Sequence, residues 1–297
     1  MKAKRRFNIW LWVLLCVPCL LASCDHNVHD GEDEGGLSVS LTWADEADQG
    51  TEVKDVKLWI FNADDGSLVE EKHYGSAQEV ASQRFQLPEG TYRILTTTNL
   101  TEPFFINEQT RALTNWNNIL IGLTNPKDVR NNAYFGVTDV KIDNKEGNYV
   151  VQNPIRSVLA ELTIIIENIP KGTEMSGKAL DCAWCLFPTL KNSDGDYGLP
   201  SIEPTEVELP TLLATESTLK SEVIRLMPTI QGSSSSHIYL RLLLPTGTLQ
   251  EFDITAPKMN VGGKYELRFK YEEMQPKMNL NATINGWTNL NNEVETK

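Results

Sequence analysis

Forty acidic against 27 basic side chains over 297 residues leave a formal charge of -13. Such a surface repels nucleic-acid phosphates and anionic lipid headgroups, which excludes nucleic acid as a partner and a basic patch as the membrane contact. The chain opens with Lys2, Lys4, Arg5 and Arg6, followed by an apolar run from Ile9 to Ala22. A bilayer-spanning helix needs about 20 residues, so this shorter run fits the h-region of a secretory signal.

The junction Leu21-Ala22-Ser23-Cys24 resembles the lipobox of bacterial lipoproteins, which implies cleavage between Ser23 and Cys24 and acylation of Cys24. Acyl chains there would bury dozens of methylenes at roughly 0.8 kcal/mol each. Cleavage leaves 274 of the 297 residues, 23 basic and 40 acidic, with a formal charge of -17. That length suits two domains of ordinary size. Residues 24–36 form an acidic tether whose one apolar side chain is Val28, so it cannot build a core. Its run Asp30–Glu34 fits either a surface-export signal of lipoproteins in fimbriated anaerobic Gram-negative bacteria or a plain charged linker.

The first domain is expected over 37–153. Leu37, Val39 and Leu41 alternate with polar residues as a half-buried strand does. Asp55–Phe61 sets Val56, Leu58 and Ile60 on one face and Trp59 and Phe61 on the other, so both faces should be covered. The Asn62–Gly66 stretch is a hairpin turn returning through 67–74. Strands are expected at 84–87 and 91–98. Leu113, Trp116, Leu120 and Leu123 follow at spacings of three, four and three, which predicts a short amphipathic helix or an irregular crossover. A closing hairpin, 134–142 with 148–152, leads to a boundary at Asn153-Pro154.

The second domain, 154–297, repeats the style. Strands are expected at 156–167, 178–187, 205–213, 218–226, 237–244, 248–255 and 264–271, with a last one at 278–287. Many short strands separated by turns mean all-β antiparallel sandwiches.

Chemistry-bearing patterns are sparse. Cys16 and Cys19 leave with the signal and Cys24 is consumed by lipid, so Cys182 and Cys185 remain. Their Cys-x-x-Cys spacing invites a redox or zinc reading. On one strand, however, residues three apart face opposite ways, so two unrelated, partly buried thiols are expected. Asn192-Ser-Asp-Gly-Asp-Tyr-Gly198 with Glu203 matches several positions of a calcium loop, but Tyr197 stands where glycine is required. An Asp- and Gly-rich hairpin turn is the expectation there. No nucleophile elbow, Walker loop or His-Glu-x-x-His occurs, so neither catalysis nor a cofactor is expected.

Taken in order, the lipobox, the acidic tether, Asp55-Val-Lys-Leu-Trp-Ile-Phe-Asn-Ala-Asp-Asp-Gly66 and Leu87-Pro-Glu-Gly-Thr-Tyr-Arg-Ile-Leu95 are followed by Phe135-Gly136 and Ile155–Ile166. Gly263-Lys-Tyr-Glu-Leu-Arg-Phe269 and Ile284-Asn-Gly-Trp287 close the series. This order resembles the FimB-type anchor subunits of the fimbrillin superfamily. The resemblance implies two tandem transthyretin-like β-sandwiches, no catalysis, a fimbrial shaft subunit as partner and a lipid-anchored place at the outer membrane, with control of fibre length. Shaft subunits of that family lose their first strand to a trypsin-like protease, which opens a groove for a neighbour's strand. Here no Lys or Arg lies between Cys24 and Lys54, so the first strand should be retained. The expected joining mechanism is strand addition, with Leu280, Ala282, Ile284 and Trp287 as the donor face, or else as the last strand of their own sandwich. Two other readings remain open at this stage. One is a glycan-binding surface lipoprotein of a carbohydrate-uptake system, using Trp43, Trp59, Trp116 or Trp184 as a platform. The other is a fimbrial tip or adhesin subunit.

Overall fold

The computed structural model describes residues 35–107, 115–126, 129, 131–274 and 288–289. The chain begins with β1 (Gly36–Trp43), β2 (Lys54–Asn62) and β3 (Leu68–Ser76). A short helix α1 (Ala77–Ala81) follows, its first turn capped by the Ser76 hydroxyl, which accepts from the Glu79 amide. Next come β4 (Gly90–Thr98), β5 (Phe104–Ile106), β6 (Ile121–Leu123), β7 (Tyr134–Ile142) and β8 (Asn148–Ser157). Six of these strands form one sheet in the order β1-β8-β7-β4-β2-β3.

The reason that sheet is stable is legible in β2. Val56, Leu58 and Ile60 are fully buried with Leu37, Val39, Val80, Phe85 and Ile94 on one face. Trp59 and Phe61 go to the other face and pack with Leu95 and Ile119. Each such side chain contributes about 1.5–3 kcal/mol of burial. A strand covered on both faces reads as a near-continuous apolar run, which Leu58–Phe61 does. The β2–β3 turn is closed by Asn62, whose carbonyl accepts from the Gly66 amide at 2.9 Å and whose Oδ1 accepts from the Asp64 amide at 2.8 Å.

The crossover between β4 and β7 takes the irregular of the two expected forms in its described part. Its described part holds β5, a 3-10 turn at Trp116–Asn118 and β6; Leu113 lies outside the described residues. Gly122 sits opposite Phe105 in the ladder, and a Cβ on Gly122 would meet the Phe105 ring at 2.6 Å. Glycine is there to let an aromatic ring lie flat on the strand, and its poor helix propensity removes the alternative. The short strand expected at 84–87 is reduced to a bridge at Phe85, although Phe85 and Leu87 are buried as anticipated.

The remaining strands are β9 (Ala160–Glu167), β10 (Glu174–Ala183), β11 (Cys185–Lys191), β12 (Tyr197–Pro200), β13 (Pro204–Leu213) and β14 (Thr218–Lys220). After them come β15 (Ile224–Leu226), β16 (Ser235–Leu243), β17 (Leu249–Pro257), β18 (Lys264–Lys270) and β19 (Thr288–Asn289). They build sheets in the orders β13-β10-β16-β17 and β14-β9-β18-β19, with β15 also on β9; β11 and β12 join β6 and β5 in a third sheet. The protein is all-β, as the turn spacing predicts. Two pairings are parallel, however: β1 with β8 and β18 with β9. Parallel neighbours need long crossovers, and the segments separating these pairs supply them. Residues 153 and 154, taken from the sequence as a boundary, lie inside β8. Asn153 is fully buried and donates to Thr96 Oγ1 at 2.9 Å and to the Gly136 carbonyl at 3.3 Å.

The strand expected over 178–187 breaks at Trp184, between β10 and β11. The Ser201 hydroxyl accepts from the Trp184 amide at 3.1 Å and from the Cys185 amide at 3.4 Å, and the Glu203 carbonyl accepts from the Trp184 amide at 3.1 Å as well, so the β10 ladder ends at this turn. Cys182 and Cys185 therefore stand on strands of different sheets, both free and buried. Burial, with the Asp181 charge adding to it, pushes the Cys182 thiol up to about 12, so it carries no reactive thiolate. The Asp- and Gly-rich stretch at 192–198 is a hairpin turn joining β11 to β12. Its Asn192 Oδ1 accepts from the Asp194 and Asp196 amides at 2.9 and 3.0 Å.

Candidate assembly site

The residues singled out for lipidation and strand donation, Ser23, Cys24, Leu280, Ala282, Ile284 and Trp287, lie outside the described residues. The described chain enters β1 from Gly35, and β19, next in sequence after Trp287, pairs Thr288 with Glu266 and Asn289 with Tyr265 of β18.

β1 is built into its own sheet along its whole length, with all eight residues in register with β8 from Gly36↔Asn148 to Trp43↔Ile155. On its other edge Leu37 exchanges two backbone hydrogen bonds with Phe85, each 2.9 Å. The Ser38 hydroxyl donates to the Ala81 carbonyl, and the Gln86 side-chain amide donates to the Gly35 carbonyl. Leu37 and Val39 are sealed in the core.

The far end of β1 is held by residues far along the chain. The Trp43 ring meets Tyr134 edge-on at 4.8 Å. In the loop after β1, Asp45 Oδ2 and Asp48 Oδ1 lie 2.8 and 3.4 Å from Lys264 Nζ, at the start of β18. Burial alone would push the Lys264 ammonium toward neutrality, but the hydrogen bond from Lys264 to Asp45 and the two carboxylate charges outweigh it and raise its pKa. The hydrogen bond from Lys264 leads in holding Asp45 below the usual carboxylate range. Lys264 and Asp45 are therefore both charged at neutral pH, and with Lys264 only 15% exposed their pairing is poorly screened. Nothing in the sequence signals this contact, because its members are more than two hundred positions apart.

A second cluster joins the six-stranded sheet to β12. The Arg93 guanidinium lies over the Trp116 ring at 3.6 Å and over Tyr197 at 4.9 Å. It also forks onto Asp139 at 2.7 and 3.3 Å, and the Tyr197 hydroxyl donates to the same carboxylate at 2.6 Å. This narrows the candidates for a tryptophan platform. Trp59 is core, the face of Trp116 is occupied by Arg93, and Trp43 packs edge-on against Tyr134. Of the four, Trp184 is substantially open, at 43% exposed, with Phe105 tilted beside it at 6.3 Å.

The histidines of the described residues, His73 and His237, pair with Asp55 and Asp181 respectively. Among the described residues, no group of three or more His, Cys, Asp or Glu is placed to hold a metal ion.

Comparison with known proteins follows the same line. Residues 24–293 match the family described as Mfa2, the fimbrillin-A associated anchor proteins Mfa1 and Mfa2. No curated protein matches the sequence. Among solved structures, the fimbrial anchor protein Mfa2 from Porphyromonas gingivalis is similar at a TM-score of 0.55 and 15% identity, over 79% of this chain and 90% of that one. A Bacteroides thetaiotaomicron protein provisionally described as an adhesin aligns at 0.54 and 11% identity, over 80% and 92%. Another from the same organism, provisionally described as polysaccharide-binding, aligns at 0.53 and 10% identity, also over 80% and 92%. At such identities these likenesses establish the fold.

Proposed function

The chain belongs to the fimbrillin-A associated anchor family, and from that premise we propose that it anchors a fimbria to the outer membrane through lipid on Cys24. In this reading it is a non-catalytic, fimbrium-associated surface protein of two sandwich units, 37–153 and 154–297, with β8 carrying the chain from one into the other. Retention of the first strand limits growth at the base, because a subunit whose groove is filled by its own β1 ends a fibre. The observation that carries the reading is the seating of β1: eight residues in register, its apolar side chains sealed, its exit loop held by Lys264. The segment ending at β19 is the proposed donor, with Leu280, Ala282, Ile284 and Trp287 filling pockets on a shaft subunit while main-chain hydrogen bonds add the strand to its sheet.

The test is a pull-down of tagged full-length protein from detergent-solubilised outer membranes, with mass spectrometry of what is retained. A fimbrial shaft subunit is expected, and it should be lost on deleting 278–297. Recovery of an outer-membrane transporter and glycan-processing proteins without a shaft subunit would favour the second reading, glycan binding. The exposed Trp184 beside Phe105 supports that alternative, and retardation in polysaccharide gels that is lost in Trp184→Ala would be its signature.

A further inference from the structure

Lys54 is the first basic residue after Cys24, and its side chain is 63% exposed. A protease specific for Lys or Arg would find its recognition group on display. The backbone around it is another matter. Asn99, itself at φ +58, takes the Lys54 amide on its Oδ1 at 2.8 Å and gives its own amide to the Lys54 carbonyl at 2.9 Å. Its Nδ2 donates to the Glu52 carbonyl at 3.0 Å. One side chain and its backbone thus fix residues 52–54 from both sides. The residue after the scissile bond, Asp55, sits at φ +50, a left-handed conformation uncommon for non-glycine residues. Proteases bind substrates as extended strands, and neither the pinned carbonyl nor Asp55 can extend without local opening.

We propose that Asn99 is a guard: it holds the Lys54–Asp55 bond in a form that trypsin-like proteases cannot read, and so keeps β1 and the lipid on one chain with the sheet. The idea rests on the anchoring role for its purpose but not for its geometry. Asparagine suits the post because it tolerates the left-handed region while its side chain offers both an acceptor and a donor.

The molecule contains a matched reference. Lys145–Glu146 lies in the exposed turn between β7 and β8 and, like Lys54–Asp55, places an acidic residue after the lysine. Detergent-solubilised full-length protein is treated with trypsin, and both cuts are timed by mass spectrometry. In the wild type the cut at Lys145 should be faster by about a hundredfold, since cleavage at Lys54 must wait for opening. Asn99→Gly preserves the backbone conformation but removes both side-chain bonds, and should narrow the ratio by about tenfold. Asn99→Asp keeps the acceptor for the Lys54 amide but loses the donor to the Glu52 carbonyl, and should narrow the ratio by less than Asn99→Gly does. Equal rates at the two sites in the wild type, which need no variant to measure, would overturn the proposal. So would an unchanged ratio in a folded Asn99→Gly protein. A pull-down without a shaft subunit would count against anchoring and leave these rates as they are.

Discussion

Leu37→Asp is expected to lower the melting temperature by roughly 10 °C: an unpaired buried carboxylate costs about 3–5 kcal/mol, and each kcal/mol moves a chain of this size by about 2–4 °C. Leu37 is fully buried among Val56, Leu58 and Ile94, and it carries the two backbone bonds to Phe85. The substitution therefore acts on the seat of β1, an edge strand that can leave while β8, β7, β4 and β2 stay paired. A vacated seat is an apolar slot beside the free edge of β8. A synthetic peptide of the sequence Gly36–Trp43 should then bind the variant and recover part of the lost melting temperature, and it should do nothing to the wild type. A drop of less than about 3 °C, below what a single kcal/mol is worth here, would mean that β1 is not integral to the sheet.

The second large effect is expected at Arg93, where one guanidinium bonds Asp139 and faces two aromatic rings. Arg93→Ala should cost about 2–4 kcal/mol, from charge-assisted hydrogen bonds and cation–π contact together. The figure is held down because Asp139 is 39% exposed and water screens the pair. The pH dependence separates this role from mere packing. Burial pushes the Asp139 carboxyl up, but hydrogen bonds from Arg93 and Tyr197 and the charges of Arg93 and Lys191 outweigh it and hold it below the usual range. A carboxylate depressed on folding adds stability that is present above its unfolded pKa and is lost as pH falls through the folded value. The stability gap between wild type and Arg93→Ala should therefore narrow below about pH 4. A gap equally wide at neutral and acid pH would assign the loss to packing alone. Arg93→Lys should recover little, since a lysine cannot fork onto a carboxylate while lying flat on a ring.

Much of the fold was legible wherever local alternation and burial agree. β2 announces its two covered faces through Val56, Leu58 and Ile60 against Trp59 and Phe61, and β16 does the same for one face through Ile238, Leu240 and Leu242. The places where sequence reading failed are those decided by partners far along the chain. Trp184 interrupts a clean alternation because its amide turns to the Ser201 hydroxyl and the Glu203 carbonyl, and β6 is fixed by pairing with β11. Asn153 bonds Thr96 and the Gly136 carbonyl inside the first sheet, and no local pattern reports such a contact. The site divides in the same way. The burial of β1 could be read from the alternation of Leu37, Val39 and Leu41. The devices that hold it, Lys264 on Asp45 and Asp48 and Asn99 on Lys54, are tertiary and could not.

The central claim, that this chain joins a fibre while keeping its own lipidated first strand, is tested most directly by one intact mass. Fimbriae would be extracted from outer membranes in detergent, and the copy of this protein that remains attached to them would be weighed. The expected mass is that of a chain beginning at an acylated Cys24 and running through β1 without a break. A fibre-attached chain that begins at Asp55, or one that carries no acyl group, would contradict the account.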